Sequence, residues 1–459
     1  MNQQLFGTDG IRARVGQSPL TLHELSKLGY AIGQWLITKY GNKPYIFLAH
    51  DTRKSCHFIK TALESGLLLH PITICDACAL PTPAVCQFVT EDNQLNAGII
   101  ITASHNLACD NGIKIINSDG IKINNEDTKI IESYFYTDTP TVVNNETLGS
   151  LEQNPIADME YIDTICSYFE EGLLEGKTIV LDCAYGSTAL CAPLIFEELG
   201  AKVIPLHIAP DGFNINKKCG STDTTVLEQT MKNQQADIGF AFDGDGDRLI
   251  IINKNGLKQD GDDILALLTQ HPQYRKETKI VGTVLSNEGF NSWLKTQNKQ
   301  LIRTNVGEKY VAEELLKHKT TLGGETSGHI VLSDYLPCSD AIFTALRICE
   351  VIIETQNWNL KTFNRYPQIN LTVPVNHKSP LDQQPLAELI EDAKQQLPQG
   401  RLIVRYSGTE PLLRITTEDK DKDLAEYIAQ KLAEQIQCKL NIKGKTKCLN
   451  GSKRKSNNL

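Results

Sequence analysis

Residues 236 to 252 read Ala-Asp-Ile-Gly-Phe-Ala-Phe-Asp-Gly-Asp-Gly-Asp-Arg-Leu-Ile-Ile-Ile, two short apolar runs with an acidic, glycine-spaced stretch between them. Runs this short, rich in aromatic and branched residues, read as buried strands, so the acidic stretch falls where a strand ends. In α/β proteins that end of the sheet is where ligands collect. Asp243, Asp245 and Asp247 would repel one another unless a cation joined them. Hard carboxylate oxygens with no adjacent imidazole or thiolate suit magnesium, manganese or calcium. A calcium loop of the EF-hand type needs glycine at its sixth position and glutamate at its twelfth, where this chain has Arg248 and Lys254. A metal site of another kind is therefore expected.

Working outward, similar apolar runs recur between helical stretches at Tyr45 to Ala49, Ala97 to Thr102, Thr178 to Leu181, Lys202 to Pro205 and Lys279 to Leu285. Such alternation predicts α/β architecture with largely parallel sheets. The chain has 459 residues, 41% hydrophobic and 22% charged, which is enough for three or four domains. Divisions are expected near 155, 255 and 368, with Tyr136 to Pro155 as a polar linker. The lysine-rich stretch 441–459 has too few apolar residues to offset ordering entropy and is expected to be disordered.

A net charge of −9 argues against a general nucleic-acid binder. The first residues lack a signal peptide's pattern, and no apolar run approaches the ~18 residues of a spanning helix, so a cytoplasmic protein without a membrane partner is expected. Thirteen scattered cysteines fit reduced thiols, and Cys75-Asp-Ala-Cys78 has no second pair to complete a zinc site.

Three further loops carry chemistry. Thr102-Ala-Ser-His-Asn106 sets Ser104 and His105 at the end of an apolar run, without the G-x-S-x-G elbow of a hydrolase. If Ser104 carries a phosphoryl group, the metal triad acquires a purpose, and Lys114 adds positive charge or moves a proton. Arg405-Tyr-Ser-Gly-Thr-Glu-Pro411 combines a forked cation with hydroxyls and an accessible amide, which suits a phosphate dianion. Gly323-Gly-Glu-Thr-Ser-Gly-His329 offers donors and acceptors for sugar hydroxyls or an amine.

Together with Phe6-Gly-Thr-Asp-Gly-Ile-Arg12, these stretches resemble the α-D-phosphohexomutase superfamily from the amino terminus to about residue 440, and the opening motif is most similar to its bacterial amino-sugar branch. The resemblance implies three α/β domains with mixed, largely parallel sheets and a smaller α+β carboxyl-terminal domain around a central active-site cleft. The divisions then become 1–155, 156–254, 255–368 and 369–440. It implies Ser104 as the phosphoserine, with Asp243, Asp245, Asp247 and the Ser104 phosphate holding Mg2+. Glu325 and Ser327 would contact the sugar, and Arg405, Ser407, Gly408 and Thr409 the phosphate that is not transferred. Arg12, Arg53, His105, Lys114, Arg248 and His329 would supply charge or proton transfer.

The implied reaction interconverts glucosamine 6-phosphate and glucosamine 1-phosphate through a 1,6-bisphosphate. Its partners would be the hexosamine phosphate, that bisphosphate, and a kinase or bisphosphate donor that primes Ser104; the resemblance leaves room for an oligomer. Glucose or mannose phosphates are the alternative substrates, a phosphatase using Asp243 as nucleophile is more distant, and a non-catalytic sugar-phosphate sensor would have no use for a phosphorylatable serine. The chain departs from the family at Leu107, where proline is usual, at Thr326 in the sugar loop, and at Glu308 and Lys309, where aspartate and arginine are usual.

Overall fold

The stretch from Ala236 to Ile252 forms a hairpin in the computed structural model, which describes residues 4–7, 9–41, 43–137, 145–375, 378–406, 411–440 and 447–448. Ile238–Phe242 pairs antiparallel with Leu249–Ile252, with Phe242 opposite Leu249. Both strands are buried along their whole length, which is why each reads as an uninterrupted apolar run rather than an alternating one. The acidic loop is the turn between them.

The chain divides into two compact units, one made of residues 1–285 and 299–362 and the other of residues 286–298 and 363–459. The first unit holds three mixed sheets. In one, the strand order is Ile11–Arg14, Asp110–Asn117, Leu95–Ile101, Tyr45–His50, Thr73–Ala79, Ser150–Gln153. Its middle strands run parallel, and Asp110–Asn117 joins antiparallel to both Leu95–Ile101 and Ile11–Arg14. The second sheet runs Lys258–Gln259, Leu249–Ile252, Ile238–Phe242, Thr178–Asp182, Lys202–Leu206, and the third Gln300–Thr304, Lys279–Thr283, Leu322–Gly324, Ile330–Leu332. Each has a parallel centre with an antiparallel strand added after a loop that bears candidate site residues.

Helices cover these sheets where their apolar faces demand it. Leu22–Tyr40 begins at Thr21, whose side chain accepts from the Glu24 amide, and buries Leu25, Leu28, Ile32, Trp35 and Leu36. Those residues join Ile46, Leu48, Ile99 and Ile101 of the first sheet in one core. At roughly 1.5–3 kcal/mol for each fully buried large aliphatic side chain, this packing outweighs the weak intrinsic preference of any single segment.

One sequence reading changes. The polar stretch expected to be a linker contributes Ser150–Gln153, which pairs parallel with Thr73–Ala79. All four of its residues are exposed, so no apolar pattern marks it. Lys114 lies in the strand Asp110–Asn117.

In the second unit the sheet order is Arg401–Tyr406, Leu412–Glu418, Gln368–Pro374, Lys447–Cys448, antiparallel throughout. Leu386–Gln395 and Lys422–Lys439 share a core with it through Ile390, Ile428, Leu432 and Ile436. The strand Lys447–Cys448 lies in the stretch expected to be disordered; the rest of 441–459 is outside the described residues. Buried Glu418 accepts from Arg401 Nε at 2.8 Å, the Glu288 amide at 2.9 Å and Gln368 Nε2 at 3.1 Å. One carboxylate thus binds the helix Glu288–Thr296 to the carboxyl-terminal sheet. Replacing Glu418 by alanine strands a largely buried guanidinium, so we expect the second unit to lose about 3–5 kcal/mol. Urea unfolding followed by circular dichroism checks this, against Thr416→Ala as a milder control.

Candidate active site

Ser104 is completely buried and takes a left-handed backbone, with φ of 50°. Its hydroxyl donates to Asp243 Oδ2 at 2.7 Å and lies 3.3 Å from His105 Nδ1. The serine loop and the acidic loop, 139 residues apart, therefore meet at this hydroxyl. Below it, the Ser104 amide donates to Thr102 Oγ1, and Thr102 Oγ1 donates to Asp51 Oδ2.

The acidic loop needs both of its glycines. A side chain on Gly244 would fall 2.7 Å from Asn216 Nδ2 and 2.8 Å from the Ser104 carbonyl oxygen, and Gly246 has φ of 74°. Asp243, Asp245 and Asp247 are all fully buried. Lys114 meets this charge directly, its Nζ lying 2.6 Å from Asp245 Oδ2 and 2.8 Å from Asp247 Oδ2. Thr82 supports Asp245 twice, by hydroxyl to carboxylate at 2.6 Å and by amide to carbonyl at 2.8 Å. Asp243 Oδ1 accepts from the amides of Asp247 and Arg248.

Two acceptors are left over. Oδ1 of Asp245 and Oδ1 of Asp247 are buried and accept no hydrogen bond, an arrangement that costs free energy unless a cation takes the place of donors. The three carboxylates offer oxygens within 4.8 Å of one another, so this donor set fits a hard divalent ion. Asp247, Glu308 and His329 also come together, but Glu308 already accepts from the Ser339 amide at 2.6 Å and pairs with Lys122 at 2.6 Å.

The electrostatics follow from burial and charge crowding. Burial, then Asp247 and Asp245, push Asp243 well above the ordinary carboxylate range. Burial opposes the charge of Lys114, but Asp245, Asp247 and Asp9 outweigh it and hold the ammonium well above its usual value. Burial also works against the charge of Glu308, which Lys122 brings down to about 2. Burial first, then Arg248 and Arg12, lower His105 to about 4. Arg248 Nε donates to His329 Nε2 at 3.0 Å, which leaves the ring proton of His329 on Nδ1, facing the Asp247 carbonyl at 3.1 Å. Arg12 pairs with Asp9, which also pairs with Lys122.

Arg53, expected to supply charge or proton transfer, turns its donors onto the serine loop's backbone. Its Nε donates to Asp51 and its two terminal nitrogens to the carbonyls of Leu107, Asp110, Ser104 and Asn106. Every donor of the guanidinium is used. It is a brace for the serine loop, including Leu107, the residue at the family's proline position.

In the loop at residues 323–329, Glu325 Oε1 accepts from the Gly307 amide at 2.6 Å, and Ser327 Oγ lies 3.4 Å from Glu325 Oε2. Gly328 accepts from the Leu249 amide, pinning this loop to the strand that leaves the acidic loop. In the second unit, Arg405 stands opposite Arg414 on the neighbouring strand. Burial and the Arg414 charge lower Arg405 from its ordinary value, and two facing guanidiniums favour an anion beside them. Ser407, Gly408 and Thr409 lie outside the described residues.

Sequence reading passed over Asp9, Thr82, Lys122 and Asn216. Asp9 lay inside a quoted motif and Glu308 at a noted departure, whereas Thr82, Lys122 and Asn216 are single polar residues that no spacing singles out.

A serine hydroxyl bonded to one carboxylate of a buried acidic triad, on three sheets of this order, defines a phosphohexomutase, and the chain belongs to the phosphoglucomutase/phosphomannomutase family. Models of that family match its α/β/α domain I over residues 3–141, domain II over 159–256, domain III over 260–366 and its C-terminal domain over 369–435. Within the family its full-length likeness is to phosphoglucosamine mutase. That of Coxiella burnetii is 37% identical over 446 residues, covering 95% of this chain and 99% of the relative. Among solved structures, a phosphoglucomutase/phosphomannomutase family protein of Burkholderia thailandensis matches with a TM-score of 0.81 at 20% identity, covering 97% of this chain and all of the other. Aspergillus fumigatus N-acetylphosphoglucosamine mutase, solved with GlcNAc-6P and magnesium, matches with a TM-score of 0.64 at 16% identity, covering 95% and 96%. Among the described residues no helix is long and apolar enough to cross a membrane.

The acidic loop is also tied to a titrating group. The Gly246 carbonyl accepts from the amide of Ala341, first residue of the helix Ala341–Thr355, whose cap is Asp340. Asp340 accepts from the hydroxyls of Tyr161 and Tyr335 and the amide of Phe343. Burial raises its carboxyl to about 6, only partly offset by these donors. The folded protein then holds this proton more tightly than the unfolded chain, so stability falls as pH rises from about 4 to about 6 and is level above. In Asp340→Asn this contribution vanishes. Unfolding free energies from pH 4 to 7 should show the variant gaining roughly 2–3 kcal/mol on the wild type across that window.

Proposed function

We propose that this mutase interconverts glucosamine 6-phosphate and glucosamine 1-phosphate, with Ser104 as the residue that donates and regains the phosphoryl group. The observation that carries the reading is the Ser104 hydroxyl 2.7 Å from Asp243, beside two buried carboxylate oxygens without donors. The full-length likeness to phosphoglucosamine mutases supports the amino-sugar substrate.

Asp243, Asp245 and Asp247, completed by the phosphate on Ser104, would hold Mg2+, the ion present in the solved Aspergillus fumigatus relative. When bound, the ion supplies positive charge against the phosphoryl oxygens. Lys114 holds the triad together through two carboxylates and adds its own charge at the same place. His105, Arg12, Arg248 and His329 surround the serine and carboxylate loops with donors. Phosphoserine gives its phosphoryl group to the substrate, the resulting 1,6-bisphosphate turns end for end, and the other phosphoryl group returns to Ser104. Glu325 and Ser327 would contact sugar hydroxyls, and Arg405, Ser407, Gly408 and Thr409 would grip the resting phosphate. A kinase or a bisphosphate must first load Ser104.

Ser104→Ala should fold normally yet lose about 10³-fold or more in turnover on glucosamine 6-phosphate. Near-normal turnover by that variant would refute the phosphoserine role, and a strong preference of the wild type for mannose 6-phosphate over the amino sugar would refute the substrate. Stripping divalent ions should lower the unfolding temperature, and Mg2+ should restore it in the wild type but not in Asp245→Asn/Asp247→Asn. Differential scanning fluorimetry reads this independently of activity.

A further inference from the structure

The hydrogen bonds around the serine loop assign a role to a residue that no motif marks. The carbonyl oxygen of Ser104 accepts from Asn216 Nδ2 at 2.7 Å and from Arg53 Nη2 at 2.9 Å. The carbonyl of Asn106 accepts from the same two side chains, at 2.9 Å and 2.8 Å. Both lone pairs of each carbonyl are therefore taken, and each donor bridges the two carbonyls. Arg53 comes from the same sheet as the serine loop, but Asn216 comes from the loop that follows Lys202–Leu206 in the second sheet.

Asn216 is also wedged against the acidic loop. The position where Gly244 would carry a side chain is 2.7 Å from Asn216 Nδ2 and 2.8 Å from the Ser104 oxygen, so amide, serine carbonyl and metal loop meet at one point. The Asn216 amide donates to Ala184, and the Gly244 carbonyl accepts from the amide of Ser187 in the same loop. That loop is anchored by Asp182, whose oxygens accept from Ala184 N, His207 Nδ1 and Gly220 N at 2.9–3.0 Å. Asp182, His207 and Cys219 come close enough to hold a metal, but the donors on both Asp182 oxygens make the group a closed bracket instead. Ala184, Tyr185, His207, Asn216 and Lys218 around it all have φ between 53° and 58°. Non-glycine residues held there store strain that the surrounding bonds must offset. Ser104, with φ of 50°, is held in the same way.

We propose that Asn216 is a positioning residue for phosphoryl transfer: its carboxamide fixes the left-handed backbone of Ser104 against the Asp243–Asp247 loop, and so sets where the serine oxygen lies relative to the metal carboxylates. The proposal rests on the phosphoserine reading above. Without this donor one bond from the second sheet to each carbonyl is lost, and Ser104 can relax toward negative φ and carry its oxygen out of line.

Two variants separate this role from a merely structural one. Asn216→Gly accommodates φ of 58° and keeps the backbone amide bond to Ala184, but has no carboxamide. Asn216→Asp keeps shape and left-handed tolerance while replacing the donor by an acceptor. Both should still take phosphate on Ser104 from a hexose 1,6-bisphosphate, as read by intact mass. In both, kcat should fall about 10- to 100-fold with KM for glucosamine 6-phosphate changed less than about threefold, the scale expected for a reacting atom misplaced by ~1 Å. Unfolding temperatures settle whether folding is intact; should Asn216→Gly unfold, Asn216→Asp carries the comparison. A kcat within about twofold of wild type in a folded variant would overturn the positioning role alone. Wild-type turnover with no phosphate ever found on Ser104 would instead overturn the phosphoserine reading, and this inference with it.

Discussion

Three buried carboxylates within a few ångströms of one another are the constraint to which the first unit answers. Their repulsion is met by the Lys114 ammonium, which touches two of them, and by the Ser104 hydroxyl and two backbone amides on the third. The compensation is incomplete: two carboxylate oxygens accept no hydrogen bond, and a hard cation would suit them. Lys114 reaches the loop because Asp110–Asn117 is a strand and not a turn. The placement of the acidic loop thus depends on a strand that the sequence reading did not mark.

The serine side of the site is organised by hydrogen bonds to carbonyls, anchored by the buried Arg53–Asp51 pair. Arg53 uses all of its donors on the backbone of residues 104 to 110 and on Asp51, and Asn216 repeats part of that pattern from another sheet. A serine held in left-handed geometry needs this degree of bracing, since L-residues avoid that region by roughly 1 kcal/mol or more. Flexibility at this loop would scatter the serine oxygen relative to the carboxylates, and under the proposed phosphoserine mechanism water admitted to a loose site would divert the phosphoryl group to hydrolysis.

What the sequence disclosed and what it concealed divide along physical lines. The α/β class, the two buried strands flanking the acidic loop and the meeting partners Ser104, Asp243, Asp245, Asp247 and Lys114 were legible, because buried strands are apolar throughout and chemistry-bearing residues cluster near strand ends. Ser150–Gln153 was not, because all four residues face solvent at a sheet edge. The carbonyl partners of Arg53 were not legible, since an arginine's residue type does not say whether it meets a ligand or a row of carbonyls. Thr82, Lys122 and Asn216 are isolated polar residues that act on distant loops, and such contacts leave no periodic trace.

The acidic loop lies in the second sheet, yet its fixtures come from elsewhere: Thr82, Lys114 and Ser104 belong to the segments around the first sheet, and Ala341 and His329 to those around the third. Modular as the sheets look, they are not interchangeable parts. A chimera that exchanged one of them with a relative would have to bring across the threonine, lysine, histidine and helix start that hold another sheet's loop. Recombination among members of the family is therefore constrained at these contacts more than at the linkers, and divergence within one sheet must be matched by its neighbours.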